Sequence, residues 1–336
     1  MESPKVENRT SAEALDRIVS KYEKPRLSFS LWQIANSVVP YLIILVGMFY
    51  TLKVSYWLTL FLSVVAAGFL LRIFIIFHDC THGAFFSSKR ANIWTGRILG
   101  VLLFTPFRYW QHEHAQHHAT AGNLDERGLG DIWTMTIKEY QQALPKTKMA
   151  YRLFRNPLIL FVLGPPFLFL IRHRFILGKK QVRERNSIRW TNLSLLAIFY
   201  IMHLTVGLKS YFLIQVPVIV FASCLGVWLF YVQHQFEGVY WERQEGWDYL
   251  SEALEGSSFY KLPKVFQWFT GNIGFHHVHH LSPKIPNYNL EACHCDHPAF
   301  LKIKPICFLA SLKSLSFRLW DEEHRQLVGY NAVQSF

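Results

Sequence analysis

Most of the 16 histidines in this 336-residue chain gather in three short stretches. They are His78-Asp-Cys-Thr-His82, His112-Glu-His114-Ala-Gln-His117-His118 and His276-His277-Val-His279-His280, spaced HxxxH, HxxHH and HxxHH. Chance supplies only about 0.04 HxxHH matches at this histidine content, so two matches demand a reason, whereas a lone HxxxH does not. On a helix, positions i, i+3 and i+4 share one face, so their imidazoles can meet. His78, His82, His114, His117, His118, His276, His279 and His280 are therefore predicted to converge. At 100° per residue, His112 lies about 200° round from His114 and His277 about 100° from His276. Those two are predicted to point away, as supporting or solvent-facing residues. Neutral imidazole is a transition-metal ligand, and eight of them exceed the four of a tetrahedral zinc. The set suits two metals of higher coordination number; ligand type alone leaves iron, copper, zinc and nickel open.

Something must hold these stretches in place, and the composition points to a bilayer. Hydrophobic residues make up 51% of the chain and charged ones 17%, where soluble domains carry about 25% charged. A disordered chain, a collagen-like repeat and a small disulfide scaffold are excluded. Four apolar runs, 34–52, 54–77, 190–208 and 211–231, have the length of membrane spans. Two weaker segments, 93–110 and 157–171, read as interfacial or re-entrant, the second interrupted by Gly164, Pro165 and Pro166. The first 32 residues are polar and lack a signal peptide's apolar stretch, so the N-terminus is expected to be retained. They carry six Lys/Arg, and Arg172, Arg174, Lys179, Lys180, Arg183, Arg185 and Arg189 crowd the stretch before the third run. The short loops joining the paired runs hold only Lys53 and only Lys209. Positive-inside reasoning then places both termini and the basic stretch in the cytosol. The expected fold is an all-α integral membrane protein: four transmembrane helices in two hairpins, with a cytosolic helical cap holding the histidine-rich site. Residues 1–32 form a cytosolic N-terminal segment, 33–321 the functional domain and 322–336 a C-terminal tail. The net charge of +12 flanks apolar segments, which suits anionic lipid headgroups and no nucleic acid. Five scattered cysteines, Cys80, Cys224, Cys293, Cys295 and Cys307, suit a reducing compartment.

With the boxes and spans in place, the sequence resembles the membrane fatty acid desaturases and hydroxylases with three histidine boxes, from about Ile34 to Asp321. Ile76-Phe-His-Asp-Cys-Thr-His82, Tyr231-Val-Gln-His-Gln-Phe-Glu237 and Gly271-Asn-Ile-Gly-Phe-His-His-Val-His-His-Leu-Ser-Pro283 are similar to bacterial acyl-lipid desaturases, most of all those of bacilli. The resemblance implies a bacterial cell-membrane enzyme with two iron ions, a non-haem di-iron centre, at the cytosolic surface. It implies O2 as co-substrate and a cis double bond placed in phospholipid acyl chains. The eight box histidines carry over as ligands, and His234 as a ninth. Three residues intervene in the first box, against four in many acyl-CoA desaturases, which weighs against an acyl-CoA substrate. No nucleotide-binding fingerprint is visible, and His297-Pro298 is followed by Ala299, so no haem-domain motif is present. By family analogy electrons come from a separate ferredoxin or flavodoxin.

The chemistry agrees. An unactivated alkyl C–H bond has no acidic proton, so acid–base groups cannot break it and a redox metal must. No catalytic residue is expected beyond the metal centre, and the aromatics Trp228, Phe230 and Tyr231 could line an acyl tunnel. Groups expected to orient the imidazoles are Asp79, Glu113, Asp125, Asp131, Glu237, Glu255 and Asn272, with Glu237 and Asn272 foremost because they lie near ligand positions. Arg72 is expected to snorkel from a span, and His203 to pack within one. Cys293-His294-Cys295-Asp296-His297 lacks zinc-finger spacing. The rival readings are an acyl or alkyl hydroxylase on the same boxes, and, more remotely, a metal-binding membrane sensor or transporter, which would need polar groups along the spans.

Overall fold

Long apolar runs become long helices in the computed structural model, which describes residues 15, 17–128 and 130–335. Helix α1 (Leu27–Thr51) buries Ser30, Gln33, Ser37, Tyr41 and Met48, spaced to make one face. That face is polar at its N-terminal end and points inward: Gln33 donates to Asn287 at 2.8 Å and Ser30 to the Phe85 carbonyl at 2.6 Å. Polar groups in a lipid-facing helix find protein partners because lipid offers none. Helix α2 (Tyr56–His82) runs unbroken through the first histidine box, five residues beyond the apolar run. Gly83 ends it in the left-handed region at φ 73°, a conformation that costs a glycine little.

The segment 93–110 is not one helix. It divides between α3 (Lys89–Leu102), capped by Ser88, and α4 (Phe107–Thr120), which starts at Pro106. At 14 residues each, these reach about 21 Å, short of a span. The segment 157–171 is broken differently. After α5 (Pro145–Phe154) the chain bends by 59° at the break before Ile159, and beyond it widened turns at Ile159–Leu163 and Phe167–Ile171 flank Gly164–Pro166. Pro165 and Pro166 supply no N–H and crowd the preceding carbonyls, so the regular ladder cannot pass through them.

Helix α6 (Val182–Thr205) and α7 (Leu208–His234) follow, joined by a turn at Val206 and Gly207. Lys209, expected in the connecting loop, lies in the first turn of α7. Among the described residues, α1, α2 and α7 are long and apolar enough to cross a membrane, and the bent α5 pair makes a fourth if counted as one span. The third predicted span is helical, but α6 begins earlier, with Arg183, Glu184, Arg185 and Arg189 in its first turns. Its apolar part is too short to qualify. His203 is exposed in the last turn of α6 rather than packed. Arg72 is buried, its guanidinium 3.9 Å from the Trp268 ring and donating to the Trp268 carbonyl, so protein rather than water receives it.

Helices α8 (Lys264–Phe269), α9 (His276–Leu281) and α10 (Asn287–Asp296) close over the ends of α2 and α7. Ile75, Ile273, Phe275, Val278, Ile285 and Leu290 fuse them into one buried cluster. Gly274 allows the approach: a Cβ there would meet the Tyr260 carbonyl oxygen at 2.3 Å. Strands are short. β1 (Met135–Thr136) pairs in parallel with β4 (Leu319–Asp321), which pairs antiparallel with β5 (Gln326–Val328). β2 (Phe259–Tyr260) pairs in parallel with β3 (Pro305–Ile306). The last segment therefore folds back on the body, with Leu327 buried.

Candidate metal centre and apolar cavity

Four helix ends deliver the histidines. His78 and His82 stand on the last turns of α2, His234 ends α7, and the other boxes occupy α4 and α9. They fall into two groups, His78, His82, His114, His118 and His279, and His117, His234, His276 and His280, each with ring nitrogens within 4.8 Å of one another. The sorting follows helix geometry. His114 and His118, at i and i+4, face the first group, while His117 between them faces the second. In α9 the pattern reverses: His276 and His280 join the second group and His279 the first. At 100° per residue, i and i+4 differ by about 40°, but i+3 sits about 100° from i+4, so one box serves two centres.

The donor chemistry fits a metal in each group. Nε2 atoms of His114 and His118 lie 3.1 Å apart, those of His118 and His279 3.0 Å, those of His117 and His234 3.1 Å, and those of His234 and His276 2.9 Å. Two imidazoles on one metal at about 2.1 Å and right angles hold their nitrogens about 3.0 Å apart. Nε2 of His82 and of His280 is buried without a hydrogen-bond partner, a cost that a bound cation removes. Burial, then mutual repulsion, holds His114, His118, His276, His279 and His280 well below the usual histidine range. They are neutral at pH 7, as ligands must be.

Carboxylates grip the far nitrogens. His117 Nδ1 lies 2.5 Å from Asp131, His280 Nδ1 3.1 Å from Glu252 and His78 Nδ1 3.3 Å from Asp79. Such contacts set the tautomer and leave Nε2 free to bind metal. Asp79 is itself held by Asn287, whose backbone N–H and side-chain amide both donate at 2.7 Å. Burial pushes the Glu252 carboxyl up to about 8, partly offset by a hydrogen bond from Ser257.

Of the residues expected to orient imidazoles, Asp79 and Asp131 touch them and the rest do not. Glu237 is exposed and pairs with Lys313 at 2.6 Å, because α7 stops at His234 and the chain turns outward. Asn272 bonds the Asn287 carbonyl and Gln267 and shapes the turn into α9 at φ 59°. Glu113 pairs with Lys180 at 3.4 Å, Asp125 with Arg243 at 2.6 Å, and Glu255 is exposed. Glu252 was missed: it lies 28 residues before His280, on a widened turn with no histidine spacing to advertise it. His112 points away beside Glu184 at 3.5 Å, as expected. His277 also points away, but it is buried and meets His294 at 3.0 Å. Among the described residues, the cysteines near His294 join no metal-binding group.

An apolar cavity of about 650 Å3 opens beside both groups. Its walls are α2 from Leu70 to His78, α7 from Ile219 to Gln233 and the broken segment around Gly164 and Pro165. His78 and His114 of the first group and His276 of the second line its floor. Trp110, stacked on His114 at 4.3 Å, and Phe230 lie against the same floor. Trp228 and Tyr231 pack with Phe161 instead.

The family model for fatty acid desaturases matches residues 55–305. The chain is 49% identical over 320 residues to a fatty acid desaturase of Bacillus subtilis strain 168, covering 95% of this chain and 91% of that one. It is 25% identical over 274 residues to the sn-1 oleoyl-lipid 12-desaturase of Arthrospira platensis, covering 73% and 76%. It is 27% identical over 231 residues to the sn-1 acyl-lipid omega-3 desaturase (ferredoxin) of a Synechocystis strain, covering 65% and 61%.

Proposed function

Since the chain belongs to the fatty acid desaturase family, we propose that it places a cis double bond in the acyl chains of membrane phospholipids. The ligands in this reading are His78, His82, His114, His118 and His279 at one iron and His117, His234, His276 and His280 at the other. When bound, the iron pair supplies the oxidising chemistry, with O2 as co-substrate and two electrons from a separate ferredoxin or flavodoxin. The balance is –CH2–CH2– + O2 + 2 e− + 2 H+ giving –CH=CH– + 2 H2O.

The observation that carries this reading is the apolar cavity whose floor is made of histidines from both groups. Its walls bind a hydrocarbon chain, exclude water and fix which methylenes lie over the floor. Asp131, Glu252 and Asp79 keep His117, His280 and His78 in the tautomer that presents Nε2. The relatives' names support a lipid-linked substrate and, in one case, a ferredoxin donor. The basic stretch Arg172 to Arg189 supports a cytosolic site in a multi-pass cell-membrane protein, with four crossings in two hairpins. The functional unit in this reading is 33–321.

Expression in a host with no desaturase, followed by mapping of double bonds in its membrane lipids, tests the proposal. Products lighter by two hydrogens are expected. Products heavier by one oxygen would make the protein a hydroxylase.

A further inference from the structure

Three charged residues line the acyl cavity: Glu113, Asp131 and Arg172. Two of them are matched. Asp131 accepts from His117, and Glu113 pairs with Lys180 at 3.4 Å. Arg172 differs. Among the described residues it has no carboxylate within ion-pair distance, and its Nη1 is buried with no hydrogen-bond partner. Its polar neighbour is the buried hydroxyl of Tyr109, which it shares with Glu113. The cavity thus keeps one uncompensated positive charge carrying an unused donor. Buried donors of native proteins are used, so a ligand acceptor is expected here.

The level of Arg172 says which acceptor. Just before it, Phe167 and Ile171 are exposed and apolar, a lipid-facing surface. Just after it come Arg174, Lys179 and Lys180. Arg172 therefore stands at the boundary between hydrocarbon and headgroups, where the phosphates of a bilayer lie. A guanidinium fork matches two phosphate oxygens. Arg174 is not available for this, since it is bound to Asn192 at 2.9 Å and to the Phe104 carbonyl.

We propose that Arg172 anchors the phosphodiester of a membrane glycerophospholipid whose acyl chain fills the cavity. The proposal rests on the acyl-chain reading of that cavity and adds the headgroup that goes with it. The anchor selects phosphate-bearing lipids over neutral ones, and it sets how far the chain can slide, since the tethered end cannot follow.

The test uses the full-length protein in detergent, in wild-type form and as R172Q and R172K. Binding is measured at equilibrium by native mass spectrometry for phosphatidylglycerol, for diacylglycerol with the same acyl chains, and for free palmitate. R172Q is expected to weaken phosphatidylglycerol binding about ten- to hundredfold, the worth of a charged hydrogen bond, while leaving diacylglycerol unchanged. R172K should restore part of the loss, and the unfolding midpoint and metal content should match wild type. Equal phosphatidylglycerol binding by R172Q and wild type overturns the anchor. So does a loss that falls equally on diacylglycerol, or one confined to palmitate, which would make the anion a carboxylate. A wild-type protein that binds none of the three defeats the acyl-chain reading itself, which separates the two failures.

Discussion

Glu252 and His280 are both fully buried and meet at 3.1 Å between Oε2 and Nδ1. A carboxyl without exposure pays heavily for its charge, and burial accordingly lifts Glu252 to about 8. A cation at His280 Nε2 reverses that preference, since the ring must then donate from Nδ1 to a carboxylate. On the proposed ligand assignment, Glu252→Gln keeps an acceptor but a weaker one. Metal affinity at the second group should fall about 10- to 100-fold, read as metal retained after dialysis against graded chelator. Unchanged retention would mean that Glu252 serves packing alone.

His117 and His118 are neighbours in sequence but belong to different groups. His117→Ala and His118→Ala should each lower bound iron from two towards one, and each should leave a spectroscopically different remainder. Mössbauer spectra of the two variants, loaded with labelled iron, make the comparison. Identical residual spectra would contradict the sorting of the box between two metals.

Arg155 is 1% exposed and has no carboxylate partner among the described residues. It donates to Tyr231 Oη at 3.1 Å, Gln235 Oε1 at 3.2 Å, Thr134 Oγ1 at 3.3 Å and the Phe317 carbonyl at 2.9 Å. It thereby ties the segment after Asp131, the end of α7 that carries His234, and the returning C-terminal segment. Arg155→Ala strands these acceptors and should cost about 3 kcal/mol or more. A thermal unfolding midpoint equal to wild type would refute the tie.

Gly226 lines the cavity, and a Cβ there would meet only Leu71, at 3.7 Å. It lies eight residues before His234, about 12 Å up the helix axis. Gly226→Leu should therefore fold and fill the cavity beyond that depth. In a desaturase-free host, long acyl chains should lose unsaturation while shorter ones keep it. An unaltered chain-length profile would show that the chain does not reach so deep.

How much of this was legible beforehand follows from what each signal encodes. Histidine spacing marked the helices α2, α4 and α9 because a metal fixes residue type and interval together. The count of eight pointed to two metals, but the spacing did not say which imidazole joins which group, since that depends on three-dimensional partners. Nearness in sequence misled for Glu237 and Asn272, because a helix end reverses direction within three residues. Glu252 left no trace at all: its contact with His280 is made by packing across distant turns. The spans α1, α2 and α7 were plain in their apolar runs. The third run, 190–208, overran the end of α6 at Thr205 and did not show that the helix starts earlier, in polar turns; Pro165 and Pro166 marked the irregular turns around them but not the 59° bend before Ile159.

Helices α2 and α7 each end in imidazoles, His78 and His82 on one and His234 on the other. Both are also long apolar rods, so their inclination answers to the thickness of the surrounding hydrocarbon. A rod that leans displaces its tip the most, and the two tips here belong to different histidine groups, α2's to the first and α7's to the second. On the acyl-lipid reading, a change in bilayer thickness that tilts either rod would bear first on the spacing between the two histidine groups.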